Sequence, residues 1–234
     1  MKDIFIHVGF PKTGTTFLQQ KVFEKLKFSK SFGKPKIEKN MQFIINSICK
    51  DDDITFASNK ELLFEKLKLI DFKEKNIISL EEFTSCLDVY KYDLIQIQDR
   101  LFNIFNSLNK KNYRVKIILV LRNQKDLLLS YYTECYEKIR QINSKWKNFK
   151  NFLYKFKNNE EKNFIIDSFN YHLLIRQIYK FYPKKDVKIL FYEDFKENIE
   201  NFMNDLLMFI GDTLDSNHDL KNVKVHYSLK DKNQ

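Results

Sequence analysis

The 234-residue chain has little glycine (4), proline (3), cysteine (3) or tryptophan (1), and no long apolar run. Each shortage excludes something. Cys49, Cys86 and Cys135 are odd in number and widely spaced, so they build neither a disulfide framework nor a metal-ligand spacing. They read as reduced thiols of a cytosolic protein. No stretch approaches the length of a membrane span, and strand pattern starts at Asp3, so no signal peptide is expected. No internal repeat and no linker divides the chain, and residues 1–234 read as a single domain with a polar tail from about 212. A hydrophobic content of 43% with 15% aromatics belongs to a globular protein of sufficient size to bury a core. The net charge of +10 suits an anionic ligand such as a polyphosphorylated nucleotide or an acidic glycan. A nucleic-acid partner is not expected, because no basic run with interleaved aromatics stands out.

Against this scarcity, one segment concentrates glycine and proline. Gly9, Pro11 and Gly14 lie within six positions of Gly-Phe-Pro-Lys-Thr-Gly-Thr-Thr, residues 9–16. The segment follows the apolar run Ile4 to Val8 and precedes apolar residues at helical spacing (Phe17, Leu18, Val22, Phe23, Leu26). Strand, glycine loop and helix in this order form a phosphate cradle: glycine permits close backbone approach, and the helix start presents N–H groups to an anion. The two threonines are placed to cap that helix. The nucleoside-triphosphate loop reads G-x-x-x-x-G-K-[ST]. Here the glycine spacing is kept, but Thr15 stands after the second glycine and the lysine is Lys12, inside the loop. That displacement points away from ATP with magnesium.

Further along, helices are expected over 40–50, 60–69, 90–109, 124–140 and 196–210, the last capped by Gly211. Polar, aromatic-rich helices are expected up to about 182. Residues 28–40 read as a polar loop. Strands are expected at 76–80, 115–121 and 187–192, short and uniformly apolar. The alternation predicts an α/β fold with a parallel sheet flanked by helices on both faces. Ligands of such sheets bind at the carboxyl ends of the strands. Segments starting at Gly9, Glu81, Arg122 and Tyr192 should therefore converge.

Arg122 ends the strand at 115–121, and Ser130 lies about two turns into the following helix. Arg122 either grips a phosphate with its planar fork or pairs with an acid at the sheet rim. Ser130 either adds a hydroxyl donor or packs as a small residue. Strand–PKTGTT–helix followed by strand–R-N-x-x-D-x-x-x-S-x-Y resembles the sulfotransferases that use 3′-phosphoadenosine 5′-phosphosulfate. The pattern is most similar to small bacterial enzymes that sulfate carbohydrates. A third stretch, Ile189 to Phe195, is similar to the family's strand followed by Tyr-Glu-Asp. The resemblance spans residues 4 to about 211 and implies a P-loop-like sulfotransferase architecture.

It also implies roles. Pro11, Lys12, Thr13, Gly14, Thr15 and Thr16 would cradle the 5′-phosphosulfate, with Lys12 at the leaving group. Arg122 and Ser130 would hold the 3′-phosphate. Phe17 sits where an aromatic stacks near adenine, though core packing suits it equally, and Tyr192 falls on the cofactor side. A glutamate after the second strand would be the general base: Glu81 is the better match and Glu82 the alternative, while both also suit a helix start. His7, His172, His218 and His226 lack the context of the histidine base used by the family's cytosolic branch. Relatives often close over the 3′-phosphate with a basic or glycine-containing segment; this chain has Lys224 to Lys230 and then polar residues.

The reaction implied is metal-independent, in-line transfer of a sulfuryl group to a hydroxyl or amine of a carbohydrate or glycoconjugate, with 3′-phosphoadenosine 5′-phosphate as product. A magnesium-ATP site needs an acid at a strand end, where this chain has Arg122. The competing readings are a non-catalytic nucleotide-binding module and a nucleoside or sugar kinase.

Overall fold

The computed structural model describes residues 1–33, 37–79, 83, 94–110, 112–142, 144–158 and 169–214. Five strands form one parallel sheet: β1 (Lys2–Gly9), β2 (Ser29–Gly33), β3 (Lys75–Ser79), β4 (Tyr113–Leu121) and β5 (Val187–Phe191). Their order is β2-β3-β1-β4-β5. The helices are α1 (Thr15–Phe17), α2 (Lys39–Lys50), α3 (Asp53–Lys68), α4 (Leu94–Asn106), α5 (Gln124–Glu134), α6 (Tyr136–Ile142), α7 (Phe149–Asn158), α8 (Tyr171–Phe181), α9 (Tyr192–Glu197) and α10 (Ile199–Ile210).

Side chains alternate across a strand, so a sheet covered on both faces needs apolar residues at successive positions. The central pair shows this. Ile4, Ile6 and Val8 of β1 join Val115, Ile117, Leu119 and Leu121 of β4 in one core, with Met41, Leu63, Leu101, Leu127 and Leu174 from the helices. Phe5, Ile118 and Val120 point the other way, into a core closed by Phe202, Met203, Leu206 and Ile210 of α10. The expected α/β architecture with two helical layers is what forms.

Four local expectations are corrected. Residues 28–40 are not all loop: Ser29–Gly33 is the edge strand β2, paired with Lys75–Ser79. Its polar residues sit at a sheet edge and only Phe32 and Gly33 are buried, so tertiary pairing makes a strand where apolar pattern is absent. The segment with helical spacing from Phe17 to Leu26 is not one regular helix but one α-turn followed by a π-helical turn, Leu18–Val22, and a 3₁₀ turn, Phe23–Lys25. The helix expected over 124–140 breaks at Cys135, and the turn brings the Tyr132 hydroxyl to the Trp146 carbonyl at 2.8 Å. The last strand ends at Phe191, so Tyr192 opens a helix. Asn198 then interrupts the helical run and caps α10, its side chain accepting from the Asn201 N–H at 3.0 Å.

The π-helical turn resets which side chains face the sheet. It buries Gln19, whose Nε2 donates to the Ser79 carbonyl at 3.0 Å and to Ser79 Oγ at 3.1 Å. Ser79 Oγ also bonds His7 Nδ1 at 2.7 Å, joining the carboxyl ends of β1 and β3. His7 is fully buried and its Nε2 has no partner, so desolvation drives its pKa down to about 3. Between that value and about 6.5 the unfolded chain binds a proton that the folded chain refuses. The contribution of His7 is therefore complete above about pH 6.5 and is lost as pH falls toward 3. Chemical denaturation at pH 7.5 and pH 5 should show wild type losing about 2 kcal/mol more than His7→Gln. Equal losses would show that His7 is not the buried, neutral group described.

Candidate active site

The register of β1 with β4 places Gly9 beside Val120, so the loop after β1 and the segment after β4 leave the sheet at one rim. The loop is tightly constrained. Lys12 has φ 67° and Gly14 has φ 81°, both left-handed. The conformation costs glycine nothing, but a side-chain-bearing residue such as Lys12 pays roughly 1–2 kcal/mol for it. A Cβ on Gly9 would lie 2.9 Å from the His7 ring and 3.1 Å from Thr15 Oγ1, so the loop can leave β1 here only without a side chain.

The threonines do not cap the helix. Gly14 is the N-cap and no side-chain cap bond is made. Thr13 Oγ1 donates to the Phe10 carbonyl at 2.6 Å and Thr15 Oγ1 to the same carbonyl at 3.1 Å. Both are buried, and they tie the loop back upon itself, so the hydroxyls shape the cradle rather than line it. Thr16 is exposed and Pro11 half-buried.

The second motif clamps the first. Arg122 Nη1 donates to the Lys12 carbonyl at 2.9 Å, holding the left-handed residue in place. Its guanidinium lies 4.7 Å above the Tyr192 ring, and that ring stands 3.6 Å from where a Cβ on Gly14 would be. Loop, β4 end and start of α9 thus meet, as three of the four convergent segments should. Among the described residues no carboxylate pairs with Arg122. Tyr171 donates its hydroxyl to the Arg122 carbonyl at 2.8 Å, and burial pushes that phenol up to about 12. Glu193 accepts from the Asn123 N–H at 2.9 Å. Asn123 itself caps α5, and Ser130 lies on that helix.

Ser130 Oγ is buried and, among the described residues, has no hydrogen-bond partner. Buried hydroxyls are nearly always partnered, so an orphaned one on the helix that follows Arg122 is open to an acceptor oxygen. Lys12 Nζ pairs with Glu134 Oε2 at 3.0 Å. Phe17 packs on Phe195 with ring centres 4.9 Å apart. Glu81 and Glu82 lie outside the described residues, as does the tail from 215, although β3 delivers the chain to Ser79 beside His7. Tyr131 and Tyr132 are both buried, so neither lines an open cleft, and Trp146 and Phe152 belong to the core. Among the described residues no group of three His, Cys, Asp or Glu side chains is placed to hold a metal ion, and no helix is long and apolar enough to cross a membrane.

Sequence reasoning missed His7, Gln19, Tyr171, Glu134 and Glu193 as supports of the rim. Glu134 carried a signal, since it follows Ser130 by one helical turn, and Glu193 lay within the Tyr-Glu-Asp stretch. The others act through contacts between distant segments.

The geometry fits the nucleotide implied by the motifs: a left-handed glycine loop with a lysine, an arginine carrying no carboxylate partner among the described residues, and an unpartnered buried hydroxyl. The family model of the sulfotransferase domain matches residues 1–234. No curated protein matches the chain. Among solved structures, a sulfotransferase from Alicyclobacillus acidocaldarius superposes with a TM-score of 0.58 at 16% identity, covering 96% of this chain and 86% of that one. A mouse sulfotransferase complexed with PAP gives a TM-score of 0.49 at 17% identity, with 92% and 60% covered. The whole-length family match, on a fold shared with the bacterial enzyme, leads to one conclusion: this chain belongs to the sulfotransferase domain family, the sulfotransferases dependent on 3′-phosphoadenosine 5′-phosphosulfate that its motifs resemble.

Proposed function

We propose that the enzyme, acting as one cytoplasmic domain, sulfates a hydroxyl or amine of a carbohydrate or glycoconjugate from 3′-phosphoadenosine 5′-phosphosulfate without a metal. The observation that carries the donor assignment is the Arg122 clamp on the Lys12 carbonyl, at the rim where the Lys12 loop leaves the sheet, with the orphaned Ser130 hydroxyl on the helix that follows Arg122. A 3′-phosphate would supply Ser130 with its missing acceptor and face the guanidinium N–H groups that Lys12 does not use. The acceptor class rests on the resemblance of the motifs to carbohydrate-sulfating enzymes and on the net charge of +10.

The donor supplies an activated sulfuryl group whose bond to the 5′-phosphate breaks as the acceptor oxygen bonds to sulfur. Backbone N–H groups of the Pro11–Thr16 loop and the Lys12 ammonium face the charge that grows on the departing phosphate. The strained loop is pre-shaped for this, because Arg122, Thr13 and Thr15 already hold it. Phe17 and Tyr192 flank the loop on the side assigned to the adenosine. Glu81, or Glu82 after it, takes the acceptor's proton.

In a thermal scan without magnesium, 3′-phosphoadenosine 5′-phosphate at about 100 times its Kd should raise the Tm by roughly 5–10 °C. No shift at millimolar ligand would remove the donor assignment. Lys12→Ala should lower kcat by about 10²–10³-fold while changing product affinity less than tenfold. An equal loss in both would make Lys12 a binding residue only. Glu81→Gln should lower kcat by about 10²–10⁴-fold, and more than Glu82→Gln does; the reverse order would move the base to Glu82.

A further inference from the structure

An anion site does not ordinarily keep a carboxylate beside its central cation, yet Glu134 lies 3.0 Å from Lys12 Nζ. Three features make the pair more than a chance surface contact. Lys12 is fixed at its backbone, by a φ of 67° and by the Arg122 bond to its carbonyl, so its side chain leaves from a set point. Glu134 ends α5 and Ser130 precedes it by four residues, so one helix face carries both the orphaned hydroxyl and this carboxylate. Both partners remain open to solvent, Lys12 at 34% and Glu134 at 55% side-chain exposure. Such a pair is weak enough to exchange.

Resting on the sulfotransferase reading above, we propose that Glu134 is a positioning residue of this site. Its carboxylate holds the Lys12 ammonium over the unliganded cradle and yields it when the 5′-phosphate group of the nucleotide arrives. The carboxylate and the nucleotide compete for one ammonium, so Glu134 sets how tightly the site takes up donor and how readily it releases product. No bond is made or broken in this step: one ion pair replaces another.

A double-mutant cycle tests this, with product affinity for 3′-phosphoadenosine 5′-phosphate measured by titration calorimetry on wild type, Glu134→Gln, Lys12→Ala and the double variant. Glu134→Gln should bind the product about two- to fivefold tighter than wild type. In the Lys12→Ala background the same change should do nothing. Unliganded melting temperatures within error of one another confirm that the fold is kept, as the exposure of Glu134 leads one to expect. Equal affinities for wild type and Glu134→Gln would overturn the proposal. So would equal tightening with and without Lys12, which would reduce Glu134 to a general repulsive charge. A 10²-fold loss of turnover at unchanged product affinity would also overturn it, by making Glu134 the proton acceptor. Failure of wild type to bind the product at all would instead overturn the donor assignment, and this inference with it.

Discussion

The Arg122 bond to the Lys12 carbonyl is the contact on which the site depends. It joins two segments 110 residues apart, each of which is incomplete alone. The loop needs it because Lys12 sits in a backbone region that side-chain-bearing residues avoid. Arg122 needs the loop because the bond, with the Tyr192 ring beneath, fixes the plane of the guanidinium. The parallel pairing of β1 with β4 makes the contact available, since it sets both strand ends at one level.

Around this bond the rim is stiffened from behind. Tyr171 and Glu193 hold the backbone at Arg122 and Asn123, and the Gln19–Ser79–His7 network holds the ends of β1 and β3. Every one of these supports comes from a different element than the group it supports. That is how an oxyanion-stabilising site keeps its shape before the reactant enters: donors and cations are oriented when the chain folds, and little reorganisation remains for the reaction itself. Among the described residues, Ser130 Oγ and His7 Nε2 are two buried polar atoms left without partners. The second is enclosed in the core.

Much of this was legible in the residues. The displaced lysine, the strand ending in arginine and the serine eight residues later are local patterns with direct chemical meaning. The uniformly apolar strands β1 and β4 announced a sheet covered on both faces. What could not be read locally was decided by contact. β2 is a strand because β3 offers it a ladder, not because Ser-Lys-Ser-Phe-Gly is a strand-forming sequence. The threonine hydroxyls turned to the Phe10 carbonyl because the buried loop needed its own backbone satisfied first.

By itself, then, the sequence determined the fold class, the loop and which residue types carry charge to the rim, since spacing, apolar period and glycine placement act over a few residues at a time. Tertiary structure decided the strand order, the clamp on Lys12, the burial of His7 and of Ser130 Oγ, and the pairing of Lys12 with Glu134. Those depend on which distant segments are brought within about 3 Å, the range over which a hydrogen bond is made, and no local pattern encodes that distance.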